Sequence, residues 1–139
     1  LDGIAEKFAA LKQFRFGTRD KVKSQQLAQQ LLNLARSAVA ENRFDAASES
    51  LEEALSTARR LRNGNQVKFL VSCKKEVDEL KSLADGAESA ETKLAESPDD
   101  PAANLASGRS LCFAKGDWEA GLPRLAKGDD EDLRQLAEL

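Results

Sequence analysis

The sequence predicts an all-α protein, and three observations carry that reading. Ala and Leu supply 42 of the 139 residues, whereas Val, Ile and Thr together supply nine. The first pair favours helix and the second group strand. Apolar residues recur at steps of three and four along most of the chain. Asp, Asn, Pro and Gly stand at the ends of those runs, where helices start and stop.

The elements follow in order. Ile4, Phe8, Leu11 and Phe14 predict a short helix over 2–14, ended at Phe16-Gly17-Thr18, where Gly17 is free to take a positive φ. Thr18 is the expected N-cap of a helix over 19–41, with Val22, Leu27, Leu31, Leu34, Ala35 and Ala38 inward. Asn42 suits the left-handed position after it. Phe44 is expected in the turn and Asp45 at the start of a helix reaching Arg62, with Ala47, Leu51, Ala54, Leu55 and Ala58 inward. Arg59, Arg60 and Arg62 would sit in its last turn, where cations suit the helix dipole. Asn63-Gly64-Asn65 ends it.

Leu70, Cys73, Val77, Leu80, Ala84, Ala87 and Leu94 predict one long helix over 66–96, roughly 45 Å in length. Gly86 costs it about 1 kcal/mol and marks a possible kink. Pro98 stops it. Asp100 is a natural N-cap and Pro101 suits the first position of a helix over 101–115. Gly116 is placed as a left-handed C-terminal residue and Asp117 as the next N-cap. A short helix over 118–127 contains Pro123, which removes a donor, so that helix is expected to start late or kink. Gly128 closes it. A final helix over 129–139 carries Leu133, Leu136 and Leu139, with Asp129–Asp132 suited to its N-terminal dipole.

Composition excludes several chemistries. His is absent, which removes His-based triads, general acids and metal ligands. Cys73 and Cys112 form no CxxC pair, and both fall at apolar helical positions, as small buried hydrophobes do; whether they pair is left open. No phosphate-loop motif occurs, and no cofactor or metal is expected. The net charge of −3 has the wrong sign for nucleic acid. No apolar run can span a bilayer. The charge is uneven: residues 1–64 carry +3 and residues 65–139 carry −6. The densest basic stretch is Lys12, Arg15, Arg19, Lys21 and Lys23, either a solvated helix face or a patch for an anion or acidic partner. With no Met and Leu at position 1, the chain reads as a fragment of a longer protein.

Two hairpins share a pattern. In 28–61, Leu31, Leu34, Ala35 and Ala38 precede the turn Asn42-Arg43-Phe44-Asp45, and Ala47, Leu51 and Ala54 follow it. In 102–128, Asn104 to Gly108 precede Gly116-Asp117-Trp118-Glu119, and Gly121 and Leu125 follow. Small residues let antiparallel helices approach, while large ones fill the gaps between hairpins. The pattern resembles a tetratricopeptide repeat. Gly108 stands one residue out of register, and Gly121 replaces the usual Ala. Residues 100–137 also resemble a helical region of large bacterial proteins that are often exported, a resemblance that brings no established activity.

The resemblance implies one right-handed tetratricopeptide-like domain over 1–139, with Ala47, Leu51, Ala54, Gly108, Gly116 and Trp118 as structural positions. It implies a non-enzymatic module that binds a peptide or protein segment in a groove lined by Gln29, Leu32, Arg36 and Val39, and by Ala106, Ser110 and Phe113. The Lys/Asn carboxylate clamp of the best-known members is missing, since Leu32, Arg36, Ala106 and Ser110 hold those places. Arg36 alone could pair with a ligand carboxylate, although a solvated Arg is the plainer reading. Trp118 stands where an aromatic locks the two helices, which implies a loss of about 3–5 kcal/mol for Trp118→Ala. The alternative is a structural spacer that positions neighbouring domains and binds nothing. A groove filled by the chain's own helix would favour it. An export or periplasmic location rests on resemblance alone.

Overall fold

The computed structural model describes residues 2–17 and 19–139, without the side chains at 15–17. Among the described residues the regular structure is entirely helical. The helices are α1 (Gly3–Gly17), α2 (Lys21–Ala40), α3 (Phe44–Arg60), α4 (Gly64–Glu96), α5 (Pro101–Arg109), α6 (Trp118–Ala126) and α7 (Glu131–Ala137), with a π-helical stretch over Ser110–Ala114. The chain divides into two compact units, Leu1–Asp78 and Glu79–Leu139.

In the first unit, α2 and α3 form an antiparallel hairpin. Ala28, Ala38, Ala47, Ala54 and Ala58 are fully buried along it, and Leu27, Leu31 and Leu51 fill the space between them. Small side chains let the two backbones approach, and the leucines exclude the remaining voids. Ser50 Oγ donates to the Leu31 carbonyl across the seam at 2.8 Å. That bond satisfies a hydroxyl with no exposure to water. Asn42 takes φ 57°, and the Arg43 amide reaches back to the Ala38 carbonyl at 2.8 Å, which closes α2.

Thr18, the expected cap of α2, lies outside the described residues. Asp20 caps the helix, accepting from the Val22 and Lys23 amides at 2.8 and 3.1 Å. Val22 does not join the buried stripe but is 61% exposed. It lies five residues before Leu27, off the three-and-four stripe, and Ser24 takes the inward place. α1 runs on to Gly17 rather than stopping at 14. Its apolar stripe fades along its length: Ile4 is buried, whereas Phe14 is 46% exposed. An ion pair between Arg43 and Asp2 ties its start to the α2–α3 turn.

Phe44 is not in the turn but is the first residue of α3, and it is buried. α3 ends at Arg60, so Arg62 lies outside it, at φ 53°. Asn63 Oδ1 then accepts from the Gln66 amide at 3.1 Å and caps α4. α4 is continuous for 33 residues. Gly86 does not break it, because the cost of one Gly is only about 1 kcal/mol. Near its start Leu70 and Val77 are buried. Lys74 joins it to α3 through Glu52 at 3.4 Å and Ser48 at 3.1 Å, and to Asp78 within α4 at 2.8 Å.

In the second unit, Asp100 caps α5 by accepting from the Ala103 amide at 2.8 Å, with Pro101 in the first turn. Asn104 is fully buried and donates to the carbonyls of Pro98 and Asp100 at 2.9 and 3.0 Å. α5 and α6 run antiparallel at close range. A Cβ on Gly108 would lie 2.9 Å from the Leu125 amide nitrogen, and one on Gly121 would lie 2.3 Å from Cys112 Sγ. Ala90, Leu94 and Ala103 form a small core where α4 meets α5, and Ala106 packs on it.

The α-helix expected over 101–115 changes character after Arg109. The Lys115 amide bonds to the Ser110 carbonyl at 3.0 Å, an i→i+5 step that takes in one more residue than an α turn. Just before it, Gly108 faces Leu125 across the α5–α6 seam. Gly116 then takes φ 69°, and Asp117 caps α6 through the Ala120 amide at 3.0 Å. Pro123 does not delay or bend α6, which runs from Trp118 to Ala126. The proline's missing N–H frees only the Glu119 carbonyl, on an exposed residue where water can reach it. α7 is shorter than the expected 129–139 and buries none of its residues; Leu136 is 62% exposed.

Candidate functional site

The seven expected groove residues divide by burial. Gln29, Leu32, Arg36 and Val39 share one face of α2, as steps of three and four require. Gln29 is exposed and donates to Asn33 Oδ1 at 3.1 Å. Arg36 is exposed and Val39 half-buried. Leu32 is only 6% exposed, so it belongs to the core rather than to an open groove.

Ser110 is also corrected. It opens the π-helical stretch, is 1% exposed, and its Oγ has no hydrogen-bond partner. Leaving a buried hydroxyl unpaired costs about 1–3 kcal/mol. Ala106 is half-buried against the α4–α5 core.

Phe113 is 47% exposed, and Trp118 beside it is 49% exposed. Their ring centroids are 5.4 Å apart at an interplanar angle of 89°, an edge-to-face pair. Trp118 therefore does not lock α5 to α6 from within the core, as its repeat position implied. It is the first residue of α6, and helical side chains lean towards the N-terminus. About half of the Trp118 surface stays in water, with Phe113 against the ring edge to face. Leu122, one helical turn further on, is 36% exposed. Trp118 and Leu122, four residues apart, share one face of α6, and Phe113 packs on the Trp118 ring. Among the other structural positions, Ala47, Leu51 and Ala54 are buried, Gly108 is buried, and Gly116 has a positive φ.

No known protein family, curated protein or solved structure matches the chain.

The titratable groups complete the description. Burial pushes the Cys112 thiol up, with Asp117 adding to it. Burial likewise pushes the Cys73 thiol up, reinforced by Glu76 and opposed by Arg36. Both thiols are free, and both are held in the protonated form at neutral pH. Among the described residues no three His, Cys, Asp or Glu side chains come together as metal ligands. No helix among them is long and apolar enough to cross a membrane.

Sequence reasoning missed the exposed patch because it assigned Trp118 and Phe113 to different jobs. The signal was there in part: Phe113 and Trp118 flank Lys115-Gly116-Asp117, a turn short enough to bring them together.

Proposed function

We propose that this chain is a non-enzymatic, tetratricopeptide-like interaction module that docks a protein or peptide segment. The interlocked alanines of α2–α3 and the close α5–α6 seam around Gly108 and Gly121 support the repeat-like reading. The observation that carries the binding reading is the half-exposed Phe113–Trp118 pair with Leu122 beside it. Aromatic side chains standing in water give up little entropy on binding and bury much area, and Trp is enriched at binding hot spots. Arg36 remains available as a polar contact on the other unit.

The test is affinity capture by the immobilised chain, run beside Trp118→Ala and Arg36→Glu variants with matched circular dichroism. A protein held by the parent and by Arg36→Glu but lost by Trp118→Ala supports docking on the aromatic patch. Loss on Arg36→Glu alone assigns the contact to α2. Equal capture by all three, or none, removes the binding reading. The second reading, a structural spacer between neighbouring domains, draws its support from the burial of Leu32 and Ser110, which closes two of the expected groove positions.

A further inference from the structure

The start of α2 and the end of α3 meet at one edge of the first unit, and that edge is cationic. Arg60 Nη2 donates to Ser24 Oγ at 3.4 Å and joins the two helices there. Around this contact lies a surface concavity of about 400 Å³ lined by Arg19, Lys21, Ser24, Arg60, Leu61 and Arg62. Four of its six lining residues are cations drawn from sequence segments some forty residues apart. Arg19, Lys21, Arg60 and Arg62 make no ion pair among the described residues.

The arginines are not needed to finish α3. Its last carbonyls already accept from backbone amides: Leu61 to Thr57 at 3.0 Å, Arg62 to Arg59 at 3.0 Å and Asn63 to Ala58 at 3.1 Å. The nearest carboxylate in sequence, Asp20, has Oδ1 turned to the α2 amides of Val22 and Lys23. Ser24 is 3% exposed and accepts the Arg60 bond, which leaves its hydroxyl proton without an acceptor among the described residues. The concavity therefore offers three guanidinium groups, one ammonium and one hydroxyl, with no carboxylate in its lining. Holding so many like charges together is unfavourable unless an anion joins them. Guanidinium forks match the paired oxygens of a phosphoryl group better than a single carboxylate can use them. Leu61 supplies one apolar wall, on which a carbon body attached to the phosphate can rest.

We propose that this concavity binds the phosphate end of a small phosphorylated molecule. The site is independent of the aromatic patch, which lies in the other unit.

Calorimetric titration of the whole chain at about 0.1 M salt, where exposed charges are screened beyond about 10 Å, tests it. Inorganic phosphate, inorganic pyrophosphate and phenyl phosphate are the probes. Saturable binding of one equivalent is expected. An Arg60→Gln/Arg62→Gln variant should weaken it at least about tenfold, the scale of one lost charge-assisted hydrogen bond. Lys115→Gln, outside the concavity, should leave it within about twofold. Arg19→Gln reads the same site from the α2 side should the double variant fail to fold. Tighter binding of phenyl phosphate than of inorganic phosphate would place a carbon body on Leu61; equal or weaker binding would overturn the assignment of a phosphorylated carbon compound. No saturable heat with any probe, or equal weakening by Lys115→Gln, would overturn the proposal.

Discussion

Replacing Gly108 with Ala asks how closely α5 and α6 are held. The added Cβ would lie 2.8 Å from Leu125 Cδ2, 2.9 Å from its Cγ and 2.9 Å from its amide nitrogen. Ordinary carbon contacts are about 3.5–4.0 Å, so something must retreat by roughly 0.5–1 Å. Rotating the Leu125 side chain clears two of these contacts but not the third, which is α6 backbone. Moving α6 would also open the Gly121–Cys112 and Gly128–Leu105 approaches, both of them tight. Overpacking of this kind costs about 1–3 kcal/mol. Removing a helical Gly returns about 1 kcal/mol. The net expectation is a loss of up to about 2 kcal/mol, or up to about 1 M in urea midpoint for a chain of this size. Gly86→Ala is the internal control. A Cβ there meets nothing within 4 Å, in the same unit, so it should gain up to about 1 kcal/mol. Urea unfolding followed by circular dichroism measures both. A Gly108→Ala midpoint equal to or above the parent's would refute the seam argument, as would a Gly86→Ala loss of the same size.

Three further outcomes follow from burial and charge. Trp118→Ala should cost about 1–2 kcal/mol, less than a core aromatic, because half the ring is already in water and one edge-to-face contact is lost. Leu51→Ala, at a 1% exposed site between α2 and α3, should cost about 2–5 kcal/mol; thermal melts of the two variants settle the order. Arg43 donates to Asp2 and holds its carboxyl down at about 2, against an ordinary value of 3.8. A lowered carboxyl adds stability above the unfolded value and loses it as pH falls through the folded one. Melting temperatures of the parent and Asp2→Asn should therefore differ above about pH 4 and converge towards pH 2. A constant difference across that range would mean the Arg43 contact does not form.

Much of the helical frame was legible because it is written in local chemistry. Asn42 and Gly116 take the left-handed conformations their residue types permit, and Asp100 and Asp117 cap the helices they precede. The alanine and leucine stripe of α2–α3 needs only periodicity to be read. What escaped depends on contacts across the fold. Leu32 has the spacing of a groove residue, and only the folded chain shows that it is buried. Trp118 has the period of a core residue, but it sits at a helix start with little beyond it to pack on. Pro123 reads as a breaker, yet the carbonyl it orphans faces water. The cationic concavity combines Arg19 and Lys21 with Arg60 and Arg62, and no local pattern links those segments.

The wide turn at Ser110–Ala114 has a consequence for chain length. Adding or removing one residue inside an ordinary helix rotates everything beyond it by about 100° and carries the buried face into water. In α2 such a deletion would turn Leu31 and Ala35 out of the hairpin. At Ser110–Ala114 the backbone already holds one residue more than its α-helical surroundings require. Deleting one there would let a regular turn re-form, with Gly108 still facing Leu125. This short stretch is where the protein can change its residue count and keep the phase of its helices.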